Sequence, residues 1–338
     1  PKMGAIRAEN AAVTLHLFLK HLPITASSDS PYSEDREKTE GPMTSTIQSP
    51  SQTPFDIPVR RDIKWDFSDV EAQIMDDDVL VNYLWMSISL GAPGIEKFFI
   101  QALNPLAEQI KDDKLRADME NMIAQEALHS ATHAKFNRAL EAAGQPIGPS
   151  YAEIDRIVDW VGQHHTQMEM VGMVSAGEHM LYSFAMIYMQ NEKIRAKMKP
   201  AMRRLFDYHL MEEAEHGAVS HDIFRYFCGD SYWFRVKTAF MALSLVNKLL
   251  GNQLGVLINN GSAKITWRNK LKLAWYGFGN PGLFRMMLVR FLEYLNPFYK
   301  LEFGERDMDL IQRYERSVYD SQPGQGEKVE PAVKTKAA

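Results

Sequence analysis

A chain of 338 residues, 45% hydrophobic and 24% charged, has ordinary globular composition and length enough for one large or two smaller domains. The formal charge of −5 is read as lacking a basic stripe, so no nucleic-acid partner is expected. Cys228 is the single cysteine, which excludes an internal disulfide framework and a cysteine-based zinc site and points to a reducing, cytoplasmic compartment.

At the amino end Lys2 and Arg7 precede an apolar run at residues 11–19. His16 interrupts the run, Glu9 precedes it and no small-x-small site follows, so it is not read as a secretory signal. Residues 26–56 are rich in Ser, Thr, Pro and charge and cannot bury enough surface to offset their ordering entropy. The expected layout is a disordered extension over residues 1–56, a helical domain over 57–320 and a disordered tail over 321–338. Met43 lies inside the extension, and residues 1–42 read as an upstream segment without a structural role.

The domain's punctuation is helical. Residues 79–90 and 95–103 supply one or two early helices, split near Pro93 and Gly94. Asp113 is the expected N-cap of a long helix through Ala143, with Gly144 just beyond its end. Ser150 with Glu153 fits a capping box, and apolar residues recur at helical spacing through Gln190. A further helix is expected from Pro200 to Phe227, ended by Gly229. The longest apolar stretch, residues 236–257, is broken by Lys237, Asn247, Lys248, Asn252 and Gln253, so it reads as a core or surface helix and no stable membrane span is expected. The 19 methionines read as core filler. Strand-like alternation is nearly absent, so the fold class is all-α, with no repeat of fixed period.

Glu96, Glu126 with His129, Glu178, and Glu213 with His216 occur in the order Glu, Glu-x-x-His, Glu, Glu-x-x-His. That is the ligand order of ferritin-like carboxylate proteins, whose four helices converge on a metal pair. Residues three apart on a helix differ by about 60° in direction, so each Glu and His pair points one way. His209 stands one turn before Glu213 and joins the same face. Imidazole with carboxylate suits iron or manganese, and four carboxylates neutralise two divalent ions. Without metal, four clustered carboxylates in a core would be strongly unfavourable.

A single Glu-x-x-His is common on helices, where charged residues usually face water. The flanks weaken that bland reading: Glu96 is followed by Phe98 and Phe99, and Glu178 lies in a segment with little other charge. His133 is read either as hydrogen-bonding a ligand or as solvated. Glu212 and Glu215 are read as supporting or surface groups, and His179, His221, His164 and His165 as packing or surface residues. Tyr182 is read as aromatic core. Nothing supports nucleophilic catalysis, since Gly-x-Ser-x-Gly is absent and Cys228 has no suggestive His nearby.

The runs IPVRRDIKWDF, SISLGAPGIEKFF, QEALHSATH and YHLMEEAEHGAVSHD, with NPFYK further on, resemble a bacterial family of predicted metal-dependent hydrolases within the ferritin-like superfamily. The resemblance spans roughly residues 55–300. The ligand order is also similar to that of di-iron arylamine N-oxygenases, whose final His-x-x-x-Glu-x-x-His is matched by His209, Glu213 and His216. The resemblance thus implies a seventh ligand, His209. Tyr208 and His221 depart from the Trp and Phe of that family, which bears on the pocket lining.

The expected architecture is a ferritin-like four-helix bundle with additional C-terminal helices. The expected function is a non-haem di-iron oxidoreductase, with two iron ions (manganese as the alternative) held by Glu96, Glu126, His129, Glu178, His209, Glu213 and His216. Its partners would be O2, a small-molecule substrate and an electron donor, with homo-oligomerisation left open. The alternative is a metal-dependent hydrolase in which two metals activate water. A non-enzymatic iron-storage or sensing role ranks below both.

Overall fold

The computed structural model of the chain describes residues 53–320, except 230 and 302. The expected tail at 321–338 and residues 1–52 of the expected extension, with the apolar run at 11–19, lie outside the described residues. Residues 53–56 are described. Thr53 is buried, the Phe55 ring meets Phe303 edge-on, and Lys114 Nζ donates to the Phe55 carbonyl.

Among the described residues the secondary structure is helical, apart from an isolated bridge between Met75 and Met198. The helices are α1 (Val79–Leu103), α2 (Asp113–Ala142), α3 (Ser150–His164), α4 (Gln167–Met189), α5 (Glu192–Arg195) and α6 (Pro200–Cys228). After them come α7 (Tyr232–Asn260), α8 (Trp267–Ala274), α9 (Leu283–Tyr294) and α10 (Glu305–Asp320). Helix α1 packs on α2, α2 on α6, α6 on α4 and α4 on α1, which closes a four-helix bundle. Helices α7, α9 and α10 cover its outside.

Two hydrophobic clusters give the helix directions. Trp85 early in α1, Phe136 late in α2, Tyr188 late in α4 and Leu205 early in α6 share one cluster. Phe98 late in α1, Met119 early in α2, Val174 early in α4 and Ile223 late in α6 share the other. Helices α1 and α6 therefore run one way and α2 and α4 the other, and α3 carries the chain back along α1 between two parallel neighbours.

The expected split at Pro93 is absent, and α1 runs through it. Proline has no N–H to give the carbonyl four residues back. That carbonyl, on Ser89, instead accepts from Asn137 Nδ2 at 2.9 Å, so the helix continues without a buried orphan. Gly94 next to it is where α3 closes on α1. A Cβ built there would collide with Ile154 Cγ2. Gly94→Ala is expected to destabilise the protein by about 1–3 kcal/mol through overpacking, measured by urea unfolding with an unchanged m-value; an unaltered midpoint would contradict this close approach.

Caps differ from expectation by local chemistry. Asp112, not Asp113, caps α2 by accepting from Leu115 N. Ser150 begins α3 without capping it, and Glu153 instead pairs with Arg156. The capping box forms at Thr166 and Glu169, at the start of α4. Gly144 and Gly229 have positive φ beyond the ends of α2 and α6, as expected of helix-ending glycines.

Helix α7 is long and apolar enough to cross a membrane by length and composition, because its polar interruptions are too few to lower the average. It buries one stripe, including Ala239, Ala242, Leu245 and Leu249, against α4 and α1.

Candidate metal centre

Between the two hydrophobic clusters lies a polar layer. Helix α1 contributes Glu96, α2 contributes Glu126 and His129, α4 contributes Glu178, and α6 contributes His209, Glu213 and His216. All seven are buried, none more than 6% exposed. Their ligand-type atoms fall into overlapping groups within 4.8 Å: Glu126, Glu178, Glu213 and His216; Glu96, Glu126 and His129; and His129, His209 and Glu213. The bundle thus brings together all seven residues singled out in the sequence. It adds His133, which is grouped with Glu96 and His209.

The hydrogen-bond partners of the histidine rings fix which imidazole nitrogens carry protons. Gln125 spends its amide N–H groups on the Pro58 carbonyl and Glu215 Oε2. Its Oε1 therefore accepts from His216 Nε2 at 2.5 Å. His129 Nε2 donates to Glu212 Oε2 at 2.7 Å, since a carboxylate can only accept. In their neutral forms both rings then turn a bare Nδ1 inward. His216 Nδ1 lies 3.0 Å from Glu126 Oε1 and 3.6 Å from Glu178 Oε2. His129 Nδ1 lies 3.4 Å from Glu213 Oε1.

His209 is set by a directional relay. Ser89 gives its one hydroxyl proton to Asn137 Oδ1 at 2.9 Å, so His133 Nδ1 donates to Ser89 Oγ. Burial first, then the neighbouring His209 and His129, holds His133 well below the ordinary histidine pKa, that is, neutral. Its Nε2 then accepts from His209 Nδ1 at 2.5 Å. This leaves His209 Nε2 as a lone pair aimed at Glu213 Oε1, only 2.6 Å away. Two acceptors at that distance require a proton or a cation between them.

The carboxylates tell the same story. Both oxygens of Glu96, Glu126 and Glu178, together with Glu213 Oε2, His129 Nδ1 and His216 Nδ1, are buried without a hydrogen bond. Such orphans are rare and costly in a folded core. Here they converge on one volume, and the donor set fits divalent metal ions. Burial, reinforced by neighbouring carboxylates, pushes Glu96 and Glu178 well above the usual carboxylate range. Burial also opposes charge on His129 and His216, but the carboxylates outweigh it and raise both. Glu213 is held well below its usual value despite burial, by His209, His129 and His216.

A raised pKa favours the protonated form, and metal must displace the protons so held. Loading is therefore expected to acidify a weakly buffered solution, and affinity is expected to fall as pH is lowered. An indicator dye during anaerobic titration checks this; loading without proton release would contradict it.

Arg60, from the non-helical segment before α1, anchors the outer side. It meets Glu215 with both Nη atoms at 3.0 and 2.7 Å, Glu212 at 2.9 Å and Glu315 at 2.8 Å. Glu212 holds His129, and Glu215 holds Gln125, which holds His216. One guanidinium thus sits behind both Glu-x-x-His pairs.

Arg60 and Gln125 were not read as site residues in the sequence, although both lie in the motif-bearing runs. His133, Glu212 and Glu215 are all buried supports. Tyr208 lies against His129, ring centroids 5.7 Å apart. His179 packs away from the cluster, bonded to Tyr299 and to the Arg290 carbonyl, and His221 stacks on Phe224. Tyr182 lines a surface cleft of about 340 Å³, and a second cleft of about 530 Å³ lies along α1, α2 and α3. None of the seven cluster residues lines either cleft.

A family model described as "Predicted metal-dependent hydrolase" matches residues 59–300. No curated protein and no solved structure matches the chain.

Proposed function

The chain belongs to the predicted metal-dependent hydrolase family, and we propose that its buried cluster holds two iron ions in an oxidoreductase that activates O2 to oxidise a small organic substrate. The observation that carries this reading is the inward convergence of three imidazole nitrogens on four carboxylates. Imidazole with carboxylate suits iron or manganese, and four carboxylates balance two divalent ions. The crossover through α3 is in keeping with a ferritin-like bundle, whose topology has one long connection. Ferrous ions, when bound, would supply electrons for the reduction of O2.

The protein's own part is to hold and to exclude. Glu212, Gln125 and His133 keep the outer ring protons of His129, His216 and His209 in place, which fixes the rings' orientation and basicity. The hydrophobic clusters on either side keep bulk water from the polar layer. That closure favours oxygen chemistry over a reaction in which water is the co-substrate. The proposed partners are O2, a small organic molecule and an electron donor, and the proposed compartment is cytoplasmic.

The family's description favours a second reading, hydrolysis by a water activated between two cations. Metal analysis, anaerobic loading with Fe(II) and exposure to O2 separate the two. Stoichiometric O2 consumption by the di-ferrous protein is expected. Anaerobic turnover of ester or phosphoester probes with manganese or zinc, and no reaction with O2, would reverse the assignment.

His209 tests the seventh position. Its Nε2 lies 3.7 Å from Glu96 Oε1 as well as 2.6 Å from Glu213 Oε1. His209→Ala is expected to retain most of the metal while changing the rate or yield of the oxygen reaction. Loss of both ions would show that His209 is required for retention; an unchanged oxygen reaction would place it outside the metal set.

A further inference from the structure

The net charge of −5 conceals an uneven distribution. Residues 231–292 contain nine Lys or Arg and no Asp or Glu, a basic stretch that the whole-chain balance does not reveal. Its later part is also unusually apolar on the outside. Trp267, Leu271, Trp275 and Phe278 are spaced by four, four and three residues, on one side of α8 and the π-helical turn Trp275–Gly279 that extends it. They are 66%, 58%, 67% and 60% exposed. On α9, Leu288 and Leu292 are 52% and 57% exposed.

This face is built rather than frayed. A capping box at Thr166's counterpart on this helix, Thr266 with Asn269, starts α8. Asn269 and Lys272 fasten it to Asp78 at the start of α1. At the hairpin the Phe278 and Phe284 rings meet at 5.8 Å, and Arg285 Nη1 donates to the Phe278 carbonyl at 3.2 Å. With the inner side anchored, the large apolar side chains are held toward solvent, where such patches mark interaction sites.

We infer that the α8–α9 hairpin docks on an anionic lipid bilayer, with its Trp, Leu and Phe side chains in the headgroup region and the neighbouring Lys and Arg on lipid phosphates. Tryptophan favours the membrane–water interface, and cations beside it add attraction to anionic lipid. A second copy of the chain fits less well, because a self-paired face would set one acid-free basic segment against another. Nucleic acid would match the charge but offers little to Leu288 and Leu292.

The test is flotation of the metal-loaded full chain with vesicles. The protein is expected to float with mixed phosphatidylcholine and phosphatidylglycerol, to stay behind with phosphatidylcholine alone, and to be released by raised salt. Trp267→Ala with Trp275→Ala is expected to abolish flotation. Lys264→Gln with Lys270→Gln is expected to weaken it about 30-fold, at about 1 kcal/mol per cation. Both double variants should keep metal content and helical circular dichroism. The inference is overturned by no flotation on anionic vesicles, by flotation that both double variants leave unchanged, or by a dimer in sedimentation that shields Trp267 and Trp275. Binding to DNA that the tryptophan pair does not affect, in place of lipid binding, would overturn it too.

Discussion

Glu213→Ala is expected to strip the protein of both metal ions. Glu213 is the carboxylate that all three histidines face: Oε1 is 2.6 Å from His209 Nε2 and 3.4 Å from His129 Nδ1, and Oε2 is 3.6 Å from His216 Nδ1. Removing it takes away a ligand and leaves three carboxylates to balance two divalent ions. Disturbing the supports of a metal ligand alone costs about 10–100-fold in affinity, so deleting this residue should cost more than about 100-fold. Glu213→Gln, nearly the same size, separates loss of charge from loss of packing. Metal analysis after gel filtration is the measurement, and full metal content in both variants would reject the proposed ligand set.

Arg60→Met should produce the largest loss of stability away from the metal. Arg60 is 4% exposed, and Glu212 and Glu215 beside it are as deeply buried. Burial opposes charge on Arg60, but Glu215 and Glu212 outweigh it and raise its pKa. Deleting one partner of such a buried network strands the others, at a cost of about 3–5 kcal/mol. For a domain of this size that is roughly a 10 °C fall in Tm. Metal affinity should also drop about 10–100-fold, because Glu212 and Gln125 would no longer fix His129 and His216. A loss below about 1 kcal/mol together with unchanged affinity would reduce the network to ordinary packing.

The ligand pattern was legible because a helix converts sequence spacing directly into direction. Glu126 with His129 and Glu213 with His216 need only the helical repeat to be predicted on one face, and the structure places them so. The supports were less legible because their partners are distant in sequence. Arg60 reaches Glu215 across 155 positions and His133 reaches His209 across 76, and neither pairing has a local periodicity to announce it. Pro93 misled for a related reason: its local rule says break, and the remedy is a side chain on another helix. Ser150 and Glu153 had the spacing of a capping box without its geometry, whereas Thr166 and Glu169 had both. The basic, outward-facing hairpin was hidden by averaging charge over the whole chain.

The relay that begins at Pro93 has a consequence for the symmetry of the site. Imidazole in water exchanges its proton freely between two nearly equivalent nitrogens, so a histidine ligand ordinarily has two faces to offer. Here a missing backbone donor leaves the Ser89 carbonyl to Asn137, which thereby presents its oxygen to the Ser89 hydroxyl. Each later donor is committed in turn, through His133 to His209. A proline at position 93 thus acts at a distance as the element that makes one imidazole chemically one-sided. With Pro93→Ala the backbone could reclaim the carbonyl, and the ring would regain the ambiguity that the relay removes.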